Sequence, residues 1–398
     1  MELKQAIKET TESIIEQIID TRRYFHKYPE LSFQEYNTSE YIRQLLDEWE
    51  VHYKYPFAGT GILAEISGKL EGNKVIALRS DMDALPISEN SGLDFSSENE
   101  GVMHACGHDI HMASLLGVIS VLNELRNHFG GKILFIFQPG EEKLPGGAKL
   151  MLEEGLFQDN QPDLIIAQHV LPEMETGTVG FRAGAYMASS DEIFITVKGH
   201  GGHGALPEKI DDPVLMTAQI LTTLQQEINR RSPKGTPTVL SFGKVIADGA
   251  VNVIPDEVRL EGTFRTMNEK WRKEAHQLIK RIGSGIAEGM GGNIELEIKH
   301  GYPALQNNVP ATHRAKKYAT ALLGEDHVTD MDIRMTAEDF AWFSNAYPAF
   351  LYRLGVKSLT KRDVTPLHTS HFVADEKALL TGITTMSWIA VKFLAETD

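Results

Sequence analysis

The sequence predicts an α/β fold, in which a doubly wound, mainly parallel sheet is interrupted by an inserted ferredoxin-like α+β domain. Up to about residue 186, short apolar strands alternate with amphipathic helices, which is typical of a buried parallel sheet. Residues 187–300 instead carry half-exposed strands in the order β-α-β-β-α-β, the ferredoxin-like order. The first pattern resumes after Tyr302. We therefore expect a main domain formed by residues 1–186 and 301–398, with the insertion over 187–300.

Two helices are expected at the start of the chain. Residues 3–27 carry isoleucines at i, i+4 spacing, and Pro29 ends this helix. A second helix is expected from about Asn37, where Glu40 stands in the position that completes a capping box. The side chains that it should bury are Ile42, Leu45, Leu46 and Trp49.

Four apolar strands follow, and three of them end in residues that carry chemistry. The predicted strands cover residues 61–66, 74–79, 133–137 and 163–168, and an apolar helix lies between the second and the third. The polar residues that come directly after the last three strands are Asp81 and Asp83, Glu141 and Glu142, and His169. Because parallel α/β sheets place their sites at the carboxyl ends of their strands, we expect these side chains to lie together.

In the insertion, Ile193, Ile195 and Val197 alternate with polar residues, as in a half-exposed strand. A helix then begins at Pro213, and the other predicted elements are strands over 238–246 and 257–265, a helix over 268–288 and a strand over 293–299. In the last segment we expect a helix from about 311, a helix opening at Thr336, a strand over 350–354 and a closing helix from about 375.

Composition excludes several classes of protein. Of 398 residues, 42% are hydrophobic and 24% are charged, as in globular domains, and the net charge of −16 without a basic block argues against nucleic-acid binding. The single cysteine cannot form an internal disulfide. No apolar run approaches ~18 residues, so no membrane span is expected. The charged N-terminus lacks the apolar stretch of a signal peptide, and we expect a cytoplasmic protein.

The residue types predict a metal centre. Cys106 lies two residues before His108, and Gly107 permits the turn that lets both side chains reach one ion. On its own this pair is a weak signal. Together with other loop residues of the same chemistry it gives five candidate ligands, which are Cys106, His108, Glu142, His169 and His368. Thiolate, imidazole and carboxylate suit zinc and its neighbours, with Mn, Co and Ni open as well. Five ligands would crowd one ion but suit two ions that share a ligand.

Further residues have candidate roles beside the metals. Glu141 can act as general base on metal-activated water, and an Asp at position 81 or 83 can fix a ligand imidazole. The glycine-rich stretch 199–205 does not fit a phosphate-binding loop, so we interpret it as a flexible loop that carries His203. Arg265 could clamp a substrate carboxylate or form a surface salt bridge, and composition does not separate the two.

Several longer motifs resemble a known family. They occur in order over residues 79–86, 103–109, 138–142, 199–205, 252–255, 262–265, 337–340 and 367–368, and the resemblance extends from about residue 20 to residue 390. Together they resemble the amidohydrolase branch of the aminoacylase and glutamate-carboxypeptidase family of two-metal peptidases. That branch includes hippurate hydrolases, N-acetyl-diaminopimelate deacetylases and plant auxin-conjugate hydrolases.

The resemblance implies a metal-binding catalytic domain with a ferredoxin-like lid that is used for dimerisation. It implies the five ligands above and makes Glu141 the base and proton shuttle. In the wider family a metal His is followed after two residues by an orienting Asp; the matching positions here are Asp81 and Asp83, and Cys106 and His108 supply ligands nearby. By the same resemblance, His203 from a neighbouring subunit stabilises the oxyanion, and Asn252 and Arg265 bind substrate.

We therefore expect a homodimeric or larger amidohydrolase with two divalent ions per subunit, acting on small N-acyl amino acids. The first alternative is a dipeptidase or carboxypeptidase that acts on short peptides. A second is a binding module that keeps the fold but has lost catalysis, although none of the five ligands or the base is missing.

Overall fold

The computed structural model describes residues 3–359 and 364–396. The chain divides into two compact units. The first consists of Met1–Gly184, Gln306–Asp332 and Asp339–Asp398, and the second consists of Ala185–Leu305 and Ile333–Glu338. The expected domain boundaries at 186/187 and 300/301 remain our proposal.

Nine α-helices lie within the described residues. They are α1 (Leu3–Lys27), α2 (Tyr36–Glu48), α3 (His108–Glu124), α4 (Gly147–Glu153), α5 (Pro213–Arg231), α6 (Glu269–Gly289), α7 (Val309–Leu323), α8 (Ala341–Ala346) and α9 (Ala378–Leu394). None of these described helices is both long and apolar enough to cross a membrane.

Sixteen strands lie in the same described part of the chain. They are β1 (His52–Phe57), β2 (Gly61–Ser67), β3 (Leu70–Asp81), β4 (Gly130–Gln138), β5 (Leu164–Glu175), β6 (Val179–Phe181), β7 (Gly184–Met187), β8 (Asp191–Lys198), β9 (Gly202–His203), β10 (Thr238–Ile246), β11 (Val253–Ile254), β12 (Glu257–Thr266), β13 (Asn293–His300), β14 (Leu305–Asn307), β15 (Val328–Asp330) and β16 (Ala349–Lys357).

The first unit is built on an eight-stranded sheet of described strands in the order β1-β2-β4-β3-β5-β16-β6-β15. Its four central strands, β4, β3, β5 and β16, are parallel, while β2 pairs antiparallel with β4 and β1 pairs antiparallel with β2. The parallel centre is apolar on both faces and carries helices, as expected from its continuous apolar runs. The predicted mainly parallel sheet is thus confirmed.

Helix α3 is buried along most of its length and packs against α1 and α9. Close packing needs a glycine, because a Cβ at Gly117 would lie 2.5 Å from Cδ1 of Ile383 in α9. This helix begins at His108, so its burial fixes the backbone of a candidate ligand.

The second unit contains a four-stranded antiparallel sheet in the order β10-β12-β8-β13, all of it within the fully described stretch 185–305. Taken in chain order with α5 and α6, the elements give the predicted β-α-β-β-α-β succession. Ile193, Ile195 and Val197 are buried in the core that also includes side chains of α5 and α6. The insertion is therefore ferredoxin-like, as predicted.

Three local predictions are wrong. Helix α2 begins at Tyr36, so Asn37 lies inside it and forms no capping box with Glu40; the carboxylate of Glu30 instead accepts the backbone N–H groups of Asn37 and Thr38. A helix does not open at Thr336, since α8 begins only at Ala341. Trp49, which ends the stripe predicted for α2, is only partly buried.

Candidate metal centre

All five candidate ligands lie in the first unit. They come from the start of α3, the segment after β4, strand β5 and the loop after β16. Cys106 and His108 come from the turn that opens α3, and Glu142 follows β4. His169 is not at a strand end as predicted, because β5 continues to Glu175 on its pairing with β16. On the other side of β5, the pairing with β3 ends at Ala167, so no residue of β3 pairs with His169.

The side-chain atoms of the candidate ligands converge. Sγ of Cys106 lies 3.6 Å from Nε2 of His169 and 3.3 Å from Nε2 of His368, and that atom of His368 lies 3.2 Å from Oε1 of Glu142. The overlapping groups with ligand atoms within 4.8 Å of one another include Cys106, His108 and His169; Cys106, Glu142 and His368; and His108, Glu141 and Glu142. These groups share residues with one another, as two ions with a common ligand would require.

Hydrogen bonding leaves the inward-facing atoms open for a cation. Nδ1 of His108 bonds to the backbone oxygen of Asp83 at 2.8 Å, and Nδ1 of His169 bonds to that of Val170 at 2.8 Å. Each carbonyl can only accept, so Nδ1 carries a proton in both rings and Nε2 is the nitrogen left to bind a cation or a second proton. The buried atoms Nε2 of His108 and Oε1 of Glu142 make no hydrogen bond to any described residue, although Oε1 lies 3.2 Å from Nε2 of His368. Such orphaned polar atoms fit a site for metal ions.

The electrostatics also favour a cation. Burial, with Glu142 and Glu141 nearby, holds the pKa of the Cys106 thiol well above its usual range, so the thiolate needs a compensating positive charge. Burial lowers the pKa of His108, but Asp81 and Asp83 outweigh it and raise that pKa to about 10. Without a metal, His108 therefore binds a proton where the ligand set would place an ion.

The carboxylate of Asp83 holds the backbone that follows β4. Its two oxygens accept the N–H groups of Glu141 at 3.0 Å and Glu142 at 2.9 Å, and the hydroxyl of Ser32 at 2.6 Å. The imidazole of His108 is closer to the backbone oxygen of Asp83, at 2.8 Å, than to its carboxylate, at 3.4 Å. Asp83 thus fixes both the ligand ring and the loop that carries Glu141.

Asp81 occupies the position at which the wider family has a metal histidine, and its oxygens are already engaged. Oδ1 accepts from Nδ1 of His111 at 2.6 Å, and Oδ2 accepts from Nη1 of Arg79 at 2.7 Å. Since Nε2 of His111 accepts the N–H of Val170 at 2.9 Å, this ring links Asp81 to the strand of His169. Asp81 therefore supports the site from behind.

The sequence reasoning missed the partners of Arg79. Besides Asp81, this buried guanidinium donates to Gln138 and Asp339 at 2.8 Å each. The backbone N–H of Asp339 in turn reaches Oε1 of Glu141 at 3.4 Å. The available signal was the alternation of Arg79 and Asp81 on one face of β3, which places opposite charges side by side on a buried strand.

His368 has a strained backbone. Its φ is +60°, in the left-handed region that non-glycine residues rarely adopt. Its N–H donates to the backbone oxygen of Ala105 at 2.9 Å, next to Cys106. The surrounding structure thus holds this residue against a local preference, as is common at functional sites.

The remaining predicted site residues belong to the second unit. His203 on β9 pairs with Val253 on β11, and the N–H of Gly204 donates to the backbone oxygen of Asn252 at 2.9 Å, so His203 and Asn252 are brought together. Arg265 lies on β12; it donates to the backbone oxygen of Met335 at 3.3 Å and pairs with no described carboxylate. Burial lowers its pKa.

Comparison with known proteins agrees with this geometry. The profile of "Peptidase family M20/M25/M40" matches residues 77–391. The N-acetylcysteine deacetylase of Bacillus subtilis is 38% identical over 363 residues, which are 91% of this chain and 93% of that protein. Thermostable carboxypeptidase 1 of Saccharolobus solfataricus is 35% identical over 398 residues, covering 99% of each.

A solved structure shares the fold. The crystal structure of the Bacillus subtilis YXEP protein, described as a dinuclear metal-binding peptidase of the M20 family, aligns with a TM-score of 0.83 at 35% identity, over 96% of this chain and 99% of that one. The profile match covers most of the sequence, and the relatives align with nearly all of it. The chain therefore belongs to the peptidase family M20/M25/M40, in its amidohydrolase branch, and is a metal-dependent hydrolase of amide or peptide bonds.

Proposed function

We propose that this protein cleaves the amide bond of N-acyl amino acids, such as N-acetyl or benzoyl amino acids, to release a carboxylic acid and a free amino acid. The observation that carries the proposal is the position of Glu141. A carboxylate oxygen of this residue lies within 4.8 Å of the ligand atoms of His108 and Glu142. A base placed beside a metal centre suits hydrolysis by water. The similarity to a deacetylase of an N-acetylated amino acid supports the substrate class.

In this proposal Cys106, His108, Glu142, His169 and His368 hold two divalent ions, which could be Zn, Mn, Co or Ni. When bound, the ions would polarise the scissile carbonyl and make a water molecule more acidic. The chemical fit is the open Nε2 of His108 and the open Oε1 of Glu142 described above. Histidine, carboxylate and a single thiolate suit all four metals.

Glu141 takes a proton from the attacking water and then donates it to the leaving nitrogen. Its side chain is buried, and the N–H of Asp339 reaches its Oε1. The carboxylate of Asp83 keeps the backbone of Glu141 and Glu142 in place, so we assign Asp83 a role in positioning both the base and His108.

We further propose, on the family resemblance, that three residues of the second unit serve the substrate. His203, supplied by the neighbouring subunit of a homodimer, stabilises the oxyanion, while Asn252 and Arg265 bind the substrate. A guanidinium can hold the free carboxylate of an N-acyl amino acid with two parallel hydrogen bonds. The absence of a described carboxylate partner at Arg265 supports this role over a salt bridge.

A second candidate function is hydrolysis of short peptides, and the similarity to a carboxypeptidase along 99% of the chain favours it. The two candidate functions are distinguished by measuring kcat/KM of the metal-reconstituted protein for matched pairs of substrates. In each pair the same amino acid carries either an N-acetyl group or a second amino acid on its nitrogen. We expect the acetylated member of each pair to be the better substrate. A preference for dipeptides would establish the alternative, and no turnover of either by metal-loaded protein would indicate a binding module.

A further inference from the structure

The loop that carries the proposed base is held by its backbone. Three successive N–H groups in this base loop (residues 139–142) donate to buried carboxylates. Gly140 donates to Oε1 of Glu35 at 2.9 Å, while Glu141 and Glu142 donate to Asp83. Glu35 therefore completes a set of anchors of which Asp83 supplies the other two.

Glu35 is itself fixed from three sides. Its side chain is fully buried, Oε1 also accepts the N–H of Phe33 at 2.9 Å, and Oε2 accepts the hydroxyl of Thr60 at 2.8 Å. No described Lys or Arg pairs with it, and burial together with the charge of Asp83 raises its pKa to about 7. A buried carboxyl without a cation costs free energy unless its hydrogen bonds are satisfied, and here both oxygens are.

The aromatic ring of Phe33 adds a steric stop. A Cβ on Gly140 would lie 2.4 Å from Cζ of Phe33, and Gly140 has a φ of +60°. Phe33 itself has a φ of +65°, which is uncommon for a bulky residue. This strained turn therefore places the ring of Phe33 against the base loop. Glu35, which anchors the same loop, follows two residues later in the chain.

We propose that Glu35 and Phe33 are positioning residues that set the place of Glu141 and Glu142 through Gly140. The proposal rests on the proposed function of those two glutamates. The residues that do the positioning lie before the region matched by the family profile, which begins at residue 77. They act on the reaction only through the base loop.

The main test compares Glu35→Ala with Glu35→Gln and Glu30→Ala in metal-reconstituted protein. Gln retains an acceptor for the Gly140 and Phe33 N–H groups, and the Thr60 hydroxyl can rotate to accept from its amide. Glu30 is a matched control, since its carboxylate also accepts two backbone N–H groups in the same segment but touches only α2. We expect Glu35→Ala to lower kcat by about 10²-fold, as for a misplacement of ~1 Å, with little change in KM.

Hydrogen exchange gives a readout that does not depend on turnover. In the metal-free protein, Glu35→Ala should speed exchange of the Gly140, Glu141 and Glu142 amides, while Glu30→Ala should affect only the start of α2. The Gln variant should restore most of both kcat and protection. The proposal is overturned if Glu35→Ala keeps its kcat within about twofold, since a change of that size corresponds to only a small change in the activation barrier. It is also overturned if Glu30→Ala lowers kcat equally.

A second test remains valid if Glu35→Ala does not fold. Gly140→Ala should lose activity because its Cβ meets the ring of Phe33, and adding Phe33→Ala should recover part of the loss by removing that ring. Strictly additive losses would contradict the coupling. Glu141→Gln distinguishes failure of the proposed function from failure of the positioning role. Normal activity in Glu141→Gln would refute the proposed function. An inactive Glu141→Gln together with fully active Glu35 and Gly140 variants would refute only the positioning role.

Discussion

Two clusters of histidine and carboxylate can be compared among the described residues of the two units, and of this pair only one has the character of a metal centre. Around Cys106 the buried Nε2 of His108 makes no hydrogen bond to any described residue, and the carboxylates of Glu141 and Glu142 lie beside it. Around Asp191 in the second unit, His276 and His300 also offer ligand atoms within 4.8 Å of a carboxylate oxygen. The residue types alone make the two clusters look alike.

Hydrogen bonds distinguish them. Both oxygens of Asp191 accept from Arg272, Oδ2 accepts from His276 at 2.8 Å, and Oδ1 accepts from the N–H of Gly301 at 3.2 Å. A guanidinium already supplies the positive charge, so an ion would have to displace satisfied bonds. The comparison teaches that open lone pairs and an uncompensated charge identify a metal site better than residue types do.

The largest expected effect is on turnover in the first cluster. Glu141→Gln removes the proton acceptor but keeps the shape of the side chain, so kcat should fall by about 10²–10⁴-fold. Metal content, measured by mass spectrometry of the reconstituted protein, should not change. Near-normal turnover would remove Glu141 from the mechanism and leave the first cluster without a base.

The second cluster should respond in stability and not in metal content. Arg272→Met leaves the carboxylate of Asp191 buried without its guanidinium, and breaking a buried pair costs about 3–5 kcal/mol. We expect a loss near the lower value in a urea titration, because His276 still contacts Asp191. As a control, Arg230→Ala breaks an exposed pair with Glu227 and should change the free energy of unfolding little. Equal losses of unfolding free energy in the two variants would show that the Asp191 cluster contributes no more than an exposed ion pair.

The same cluster predicts a pH dependence of the free energy of unfolding. Burial raises the pKa of Asp191, but Arg272 and His276 outweigh it and bring that pKa to about 2, below the usual value for an Asp of about 3.9. A depressed pKa stabilises the fold above the unfolded value, so this contribution should fade as the pH drops from about 4 to 2. In Arg272→Met that part of the acid dependence should become shallower; an unchanged slope would assign it to other carboxylates.

Much of the fold was predictable because its signals are local. The continuous apolar run over 133–137 and the alternation at 193–197 identify a buried strand and a half-exposed one without reference to the rest of the chain. The capping box predicted for α2 was wrong because a partner outside the helix decides it. Glu30, seven residues before Asn37, caps α2, and no local pattern reports such a contact.

Part of the candidate site was predictable for the same reason. Cys106, His108 and Glu142 belong to motifs with recognisable spacing, and they converge as expected. Arg79, His111 and Glu35 were missed because their importance lies in partners such as Asp339, Val170 and Gly140, which are distant in sequence. Long-range pairing of buried charges leaves only a weak trace in a single sequence.

The most direct test of the metal centre is a titration of the metal-free protein with Co²⁺, followed by absorption spectroscopy. Thiolate ligation by Cys106 predicts a sulfur-to-cobalt charge-transfer band and two bound ions per chain; the band should be absent in Cys106→Ser and unchanged in His276→Ala. A band that survives Cys106→Ser, or ions that are lost with His276 and retained without Cys106, would contradict the assignment of the metals to the first cluster.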